Sequence, residues 1–149
     1  MKPQPMIAVA DVEATSRWFQ KALGLRGGHG GKEYEQLLSG DELVLQLHEW
    51  DAHEHPNLGD PARKPYGNGV VLWFNEPNVK KAYETAVAAG AEVLEPLKVN
   101  PLAHAWEFWL RDPNGYIVVV AGNYGDEPSP VGQPSQKSED SSSPSARPA

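Results

Sequence analysis

The sequence predicts an α+β fold of two βαβββ modules forming a curved sheet around a cavity. Three observations carry this reading. The order strand, helix, three strands occurs twice along the chain. Each helix is opened by an acid and closed by a glycine at nearly the same spacing, 13 positions from Asp11 to Gly24 and 14 from Glu76 to Gly90. Neither module is large enough to cover its own sheet, so the two must share a core or a cleft.

In the first half, Met6 to Ala10 is a short apolar run suited to a buried strand. Asp11 stands where a helix N-cap belongs, with Ala14 rather than a capping-box Glu three residues on. Val12, Trp18, Phe19, Ala22 and Leu23 fall at helical spacing, and Gly24 supplies the C-terminal glycine. Strands follow over Leu25 to Gly28, Glu33 to Leu38 and, after the turn Ser39-Gly40-Asp41, Glu42 to Trp50. In the last of these Leu43, Leu45 and Leu47 alternate with Val44, Gln46 and His48, the mark of a strand with two different faces.

The second half repeats the order. Gly69 to Phe74 is the strand, and Asn75-Glu76-Pro77 opens a helix with proline near its first turn. Val79, Ala82, Tyr83, Ala86 and Val87 form the apolar helix face, closed by Gly90. Strands are expected over Glu92 to Val99, His104 to Leu110 and, after Asp112-Pro113-Asn114-Gly115, Tyr116 to Ala121. The folded domain is thus 1–125, with modules at about 4–50 and 67–122 and a linker over 51–66. The remaining 126–149 holds seven Ser and five Pro with no aromatic residue. Such a segment cannot bury enough apolar surface to offset its ordering entropy, so a disordered tail is expected.

Composition excludes several function classes. A chain of 149 residues makes about one domain. It has no cysteine, hence no disulfide, thiolate metal site or cysteine nucleophile. A net charge of −7 argues against sequence-independent nucleic-acid binding, which needs clustered Lys and Arg. The apolar runs are too short to span a bilayer, and Met1-Lys2-Pro3-Gln4-Pro5 does not lead into a secretory h-region. A cytoplasmic protein with no membrane partner is expected.

Common catalytic constellations are missing. Ser39 lies in a turn between strands and Ser16 within a helix, so neither makes a hydrolase elbow. Gly27-Gly28-His29-Gly30-Gly31 sits between strands and lacks the Lys-Ser/Thr of a phosphate loop. His53-x-His55, with His48, Glu49 and Glu54 nearby, has the donors for a transition metal. It runs straight into the polar loop Pro56-Asn57-Leu58-Gly59-Asp60-Pro61, which favours a solvated connection between modules. Glu107 with His104 makes an acid–base pair if both face the cavity.

Two stretches resemble the vicinal oxygen chelate superfamily of glyoxalases, bleomycin-resistance proteins and dioxygenases, over about residues 4–122. They are Met6-Ile7-Ala8-Val9-Ala10-Asp11 leading to Trp18-Phe19-Gln20-Lys21-Ala22-Leu23-Gly24-Leu25, and Glu107-Phe108-Trp109-Leu110-Arg111-Asp112-Pro113-Asn114-Gly115-Tyr116. The resemblance implies a metal site with one His, Gln or Glu on the first and last strand of each module. Gln4 is an acceptable match in the first module, and Gln46 or His48 supplies the next position. In the second module the matching positions fall on Gly69 and Val119. Two neutral donors from one wall do not offset the dehydration of a divalent ion. No metal and no other cofactor is therefore expected, and no catalytic residue is assigned.

A cavity with aromatic walls remains. Strand alternation puts Gly69, Val71 and Trp73 on one face and Val70, Leu72 and Phe74 on the other, against a helix. Trp73 would project into the cleft with Gln46 and His48, while Trp50 and Trp106 sit at strand ends near the mouth. Trp18 belongs to the core. This pattern is closest to the metal-free, bleomycin-resistance-like members, which bind a drug in grooves at a homodimer interface without transforming it. The resemblance implies a binder of a small antibiotic-like molecule, cationic and aromatic. Gln4, Gln46, His48, Trp50, Trp73, His104, Trp106 and Glu107 are the ligand-binding candidates, and Glu49, Asp51 and Glu54 add acidic charge. The alternative is a lyase or isomerase of the superfamily using His48, His104 or Glu107 at a non-standard site.

Overall fold

The computed structural model describes residues 1–50 and 56–125. The expectations placed on Asp51, His53, Glu54 and His55, and on 126–149, lie outside the described residues.

Each module folds in the expected order. The first contains β1 (Met6–Val9), α1 (Val12–Leu23), β2 (Arg26–Gly30), β3 (Tyr34–Ser39) and β4 (Glu42–Glu49). The second contains β5 (Val71–Asn75), α2 (Val79–Ala88), β6 (Glu92–Asn100), β7 (Ala105–Arg111) and β8 (Ile117–Ala121). They form two four-stranded mixed sheets of matching topology, β1-β4-β3-β2 and β5-β8-β7-β6. In each the first strand pairs parallel with the last and the others pair antiparallel. β1 and β5 therefore stand at sheet edges.

Helix ends follow local chemistry. The Asp11 carboxylate accepts the Ala14 amide at 2.8 Å, and Gly24 ends α1 in the left-handed region with its N–H on the Gln20 carbonyl. α2 starts later than expected. Glu76 does not open it but accepts the Asn78 amide at 2.7 Å, and the helix begins at Val79. β5 likewise starts at Val71, so Gly69 lies in the preceding turn and Val70 is exposed rather than packed on a helix.

Of a shared core and a shared cleft, the structure takes the core. The apolar sides of both sheets, with the helices, join in one cluster that includes Ile7, Val9, Phe19, Leu37, Leu45, Leu47, Leu72, Phe108, Leu110, Val118 and Val120. Phe19 of α1 meets Phe74 of β5 edge-to-face at 6.5 Å, and α1 packs on α2. Trp18 packs against this core, as expected.

A polar clasp adds to the core. The turn after β7 reaches across to the β1–α1 corner. There the Asn114 side-chain oxygen Oδ1 accepts the Ala10 amide at 3.1 Å, its Nδ2 donates to Thr15 Oγ1 at 2.9 Å, and the Tyr116 hydroxyl donates to the Ala8 carbonyl at 2.8 Å. Asp112 shapes the turn by accepting the Asn114 and Tyr116 amides. Burial raises its carboxyl pKa above the ordinary aspartate value, against the opposing pull of those hydrogen bonds. Gly67 lies beneath the same tyrosine, where a Cβ would come within 2.6 Å of the Tyr116 ring.

Candidate functional site

Because the apolar sides of the sheets meet in the core, their opposite sides form two outward faces. Strand alternation decides what each presents.

On the first sheet the outward face carries Tyr34 and Gln36 from β3 and Gln46 and His48 from β4, paired across the strands as Tyr34 with His48 and Gln36 with Gln46. A hydrogen-bond chain runs over it. Gln36 Nε2 donates to the Tyr34 hydroxyl at 3.1 Å, that hydroxyl donates to Gln46 Oε1 at 2.7 Å, and Gln46 Nε2 donates to the Gln4 carbonyl at 2.9 Å. His48 is 4 % exposed, and its Nδ1 lies 2.7 Å from the Glu49 carbonyl, so that nitrogen carries the proton. The Tyr34 ring stands edge-on to it at 6.3 Å.

On the second sheet the outward face carries Val71 and Trp73 from β5, Val119 from β8, and Glu107 and Trp109 from β7. Trp73 is 52 % exposed, while Glu107 is 3 % exposed. Both carboxylate oxygens of Glu107 are engaged, Oε1 by the Trp109 indole N–H at 2.9 Å and Oε2 by the Asn100 side-chain amide at 3.0 Å. Trp73 and Trp109 meet nearly at a right angle, 83° between planes with ring centres 6.5 Å apart. Lys98, opposite Glu107 on β6, is ion-paired with Glu95. The hydrogen bond Lys98 donates to Glu95, with added attraction from Glu107, raises the Lys98 pKa above its ordinary value.

The predicted site residues therefore divide. Gln46 and His48 share one outward face, with Gln4 joined to it through its backbone. Trp73 and Glu107 share the other. Trp106 lies on the opposite side of β7 from Glu107, against the core, with the Lys80 ammonium 5.0 Å from its ring centre. Trp50 packs on Tyr66 at 5.0 Å beneath the inter-module loop, its buried indole N–H without an acceptor among the described residues. His104 is in the exposed turn before β7, in the left-handed region, with its ring against Tyr124.

Tyr34, Gln36, Asn100 and Trp109 were missed from the sequence. Alternation along β3 and β7, phased from Gln46 and Glu107, is the signal that finds Tyr34, Gln36 and Trp109.

The metal that the superfamily resemblance implies does not fit these residues. Gly69 and Val119 have no donor atom, and Val119 is fully buried between strands carrying Trp73 and Trp109. In the first module the Gln46 amide is already committed to Tyr34 and Gln4. Among the described residues no three His, Asp or Glu side chains converge as a ligand set. No helix among them is long and apolar enough to cross a membrane.

Comparison with known proteins places this arrangement. Solved structures share the fold at low identity. A glyoxalase/bleomycin resistance protein/dioxygenase family enzyme from Burkholderia phytofirmans PsJN has a TM-score of 0.66 at 19% identity, over 80% of this chain and 96% of that one. A glyoxalase/bleomycin resistance protein/dioxygenase from Nocardioides has a TM-score of 0.63 at 20% identity, over 89% and 91%. TioX from Micromonospora sp. ML1 has a TM-score of 0.62 at 15% identity, over 83% and 99%. No curated protein matches the sequence. The family model for the superfamily matches residues 3–120, nearly the whole of both modules. The chain belongs to the glyoxalase/bleomycin resistance protein/dioxygenase superfamily.

Proposed function

We propose that the protein binds a small, antibiotic-like aromatic molecule without a metal and without turning it over, in the manner of bleomycin-resistance proteins. The observation that carries this is Trp73, half-exposed on a sheet face beside Trp109 and the buried carboxylate of Glu107. A large indole left facing solvent is an exposed apolar surface that a ligand or partner covers. A metal-centred reaction has no donor at Gly69 or Val119 to rest on.

The binding unit in this reading is a homodimer. Within one chain the Gln46–His48 face and the Trp73–Glu107 face lie on opposite sides of the shared core, so one chain supplies two half-sites. The edge strands β1 and β5 offer unpaired backbone, and their outward side chains Met6, Val71 and Trp73 are exposed. Setting β1 of one protomer beside β5 of its partner closes both edges. It also brings the first module's face of one chain against the second module's face of the other. Gln46, His48 and Tyr34 then form one wall of each cleft, and Trp73, Trp109 and Glu107 the other.

The test combines a thermal-shift screen with sedimentation and elemental analysis. Glycopeptide drugs, aromatic antibiotics and glutathione conjugates are screened at 100 µM, before and after chelator. At least one aromatic compound should raise Tm equally in both conditions, since a ligand of the native state stabilises it by mass action. It should be recovered unchanged, from a species of twice the chain mass. Turnover of an aldehyde or catechol, near one equivalent of bound Fe, Mn, Ni or Zn per chain, or silence toward every compound overturns the reading.

A further inference from the structure

We infer that Asn68 is a site of spontaneous covalent modification, where the side-chain amide is lost to isoaspartate and aspartate through a succinimide. Asn114, in the same Asn-Gly dipeptide, is held out of the reaction by the clasp between the modules. The inference goes beyond the binding role and does not depend on any ligand.

The chemistry needs only water. The backbone nitrogen of the following residue gives up its proton and attacks the asparagine Cγ. The bond from Cγ to Nδ2 breaks, ammonia leaves with that proton, and a five-membered succinimide closes. Water then adds to either ring carbonyl. Opening at one restores the ordinary backbone with an aspartate side chain. Opening at the other routes the main chain through the former side-chain carbon as isoaspartate. Glycine in the following position favours the attack, because no side chain shields its nitrogen and it accepts either sign of φ as the peptide plane turns.

The chain holds this dipeptide twice, at Asn68-Gly69 and Asn114-Gly115. Asn68 is exposed in the turn Gly67-Asn68-Gly69-Val70, closed by the Val70 amide on the Gly67 carbonyl at 2.7 Å. Gly69 has φ +79 at the third position, as a type II turn requires. Neither the Asn68 side chain nor the Gly69 amide has a hydrogen-bond partner among the described residues. A Cβ on Gly69 would meet nothing within 4 Å, so water reaches the nucleophile freely. Electrophile and nucleophile are both unrestrained here.

At Asn114 both are pinned. Its Oδ1 accepts the Ala10 amide, and its Nδ2 donates to Thr15 Oγ1 and to Asp112 Oδ2. The Gly115 amide, which would make the attack, donates to the Asp112 carbonyl at 3.0 Å. Ring closure would first have to open all of these bonds.

The product at Asn68 acts on β5. Isoaspartate adds a methylene to the main chain between the two groups whose hydrogen bond closes the turn. Gly67 is fixed beneath the Tyr116 ring, and Val71 is fixed by its pairing with Ile117 of β8. The extra length therefore comes out of the turn, which loses the Val70 bond at the entry to the strand that carries Trp73.

The full chain is aged at mildly alkaline pH in heavy-oxygen water, native and in urea above its unfolding transition. Peptide mapping by mass spectrometry follows both dipeptides, and the Asn68→Ser variant assigns the signal. In the native protein Asn68 should convert about tenfold faster than Asn114 or more, since several hydrogen bonds must open at the latter. In urea the two rates should converge. The isoaspartate form, isolated by ion exchange, should show faster amide hydrogen exchange at Val70 with unchanged exchange in β8. Equal native rates, or an Asn68 that converts only once the chain is unfolded, overturn the inference. Unchanged exchange at Val70 overturns the effect assigned to the strand entry.

Discussion

Tyr116 ties the second module to the first with one hydroxyl, donated to the Ala8 carbonyl from a buried ring. Burial, with the nearby charge of Asp112 adding to it, pushes its pKa up to about 12 from the ordinary 10.0. The raised value means the native state holds this proton more firmly than the unfolded chain. The stability this proton confers is fully present below pH 10 and is lost as pH rises toward about 12, where the native phenol also ionises. Tyr116→Phe removes the proton and leaves the Ala8 carbonyl without its partner. It should cost about 1–2 kcal/mol near neutrality, the range for a lost buried hydrogen bond. Its stability should then fall less steeply than the parent's above pH 10. Urea denaturation of both proteins from pH 8 to 11.5 measures this, and parallel pH profiles would remove Tyr116 as the group responsible.

The two helices differ at the element scale in how they begin, and the difference predicts unequal costs. Asp11 caps α1 with a side-chain hydrogen bond, whereas Asn78 makes no such bond at the start of α2, where Glu76 takes the Asn78 amide instead. Asp11→Ala should therefore cost about 1 kcal/mol and Asn78→Ala only a few tenths. Chemical denaturation of both variants decides it, and equal losses would contradict the capping assignment. The same elements explain how far the sequence could be read. Asp11, Gly24 and the spacing of Val12, Phe19 and Ala22 mark α1 to the residue, because cap chemistry and helical period agree there. Glu76 and Pro77 look like a helix start and place α2 two to three residues early, while the acid actually serves the turn before it. In β4 a clean alternation put Gln46 and His48 on one face. In β7 the run Trp106, Phe108, Trp109 and Leu110 is bulky on both sides, so period alone does not separate Trp109 on the outward face from Trp106 on the core. That separation comes from the pairing with β8 and the packing of α2, which are long-range facts.

At the scale of the whole molecule, duplication suggests two folding units, but the shared core argues for one. The apolar sides of both sheets and both helices enter a single cluster, so neither module has a private core to fall back on. Asn114 and Tyr116 add polar ties across the boundary through Ala10, Thr15 and Ala8. Opening either module exposes the apolar side of the other, which couples their unfolding. The full chain should therefore unfold in one transition, with coincident tryptophan-fluorescence and circular-dichroism curves and a calorimetric enthalpy equal to the van't Hoff value. Asn114→Ala tests the coupling. It removes the side-chain bonds to Ala10 and Thr15 and should lower stability by about 1–3 kcal/mol, yet the transition should remain single. In a protein whose modules were joined only by the clasp, this substitution would split the curve into two steps. A second transition in the variant, or non-coincident curves in the parent, would mean that the apolar contact between modules is too weak to bind them into one cooperative unit. The outward faces would then no longer be held in fixed relation, and the dimeric cleft proposed above would lose its rigid walls.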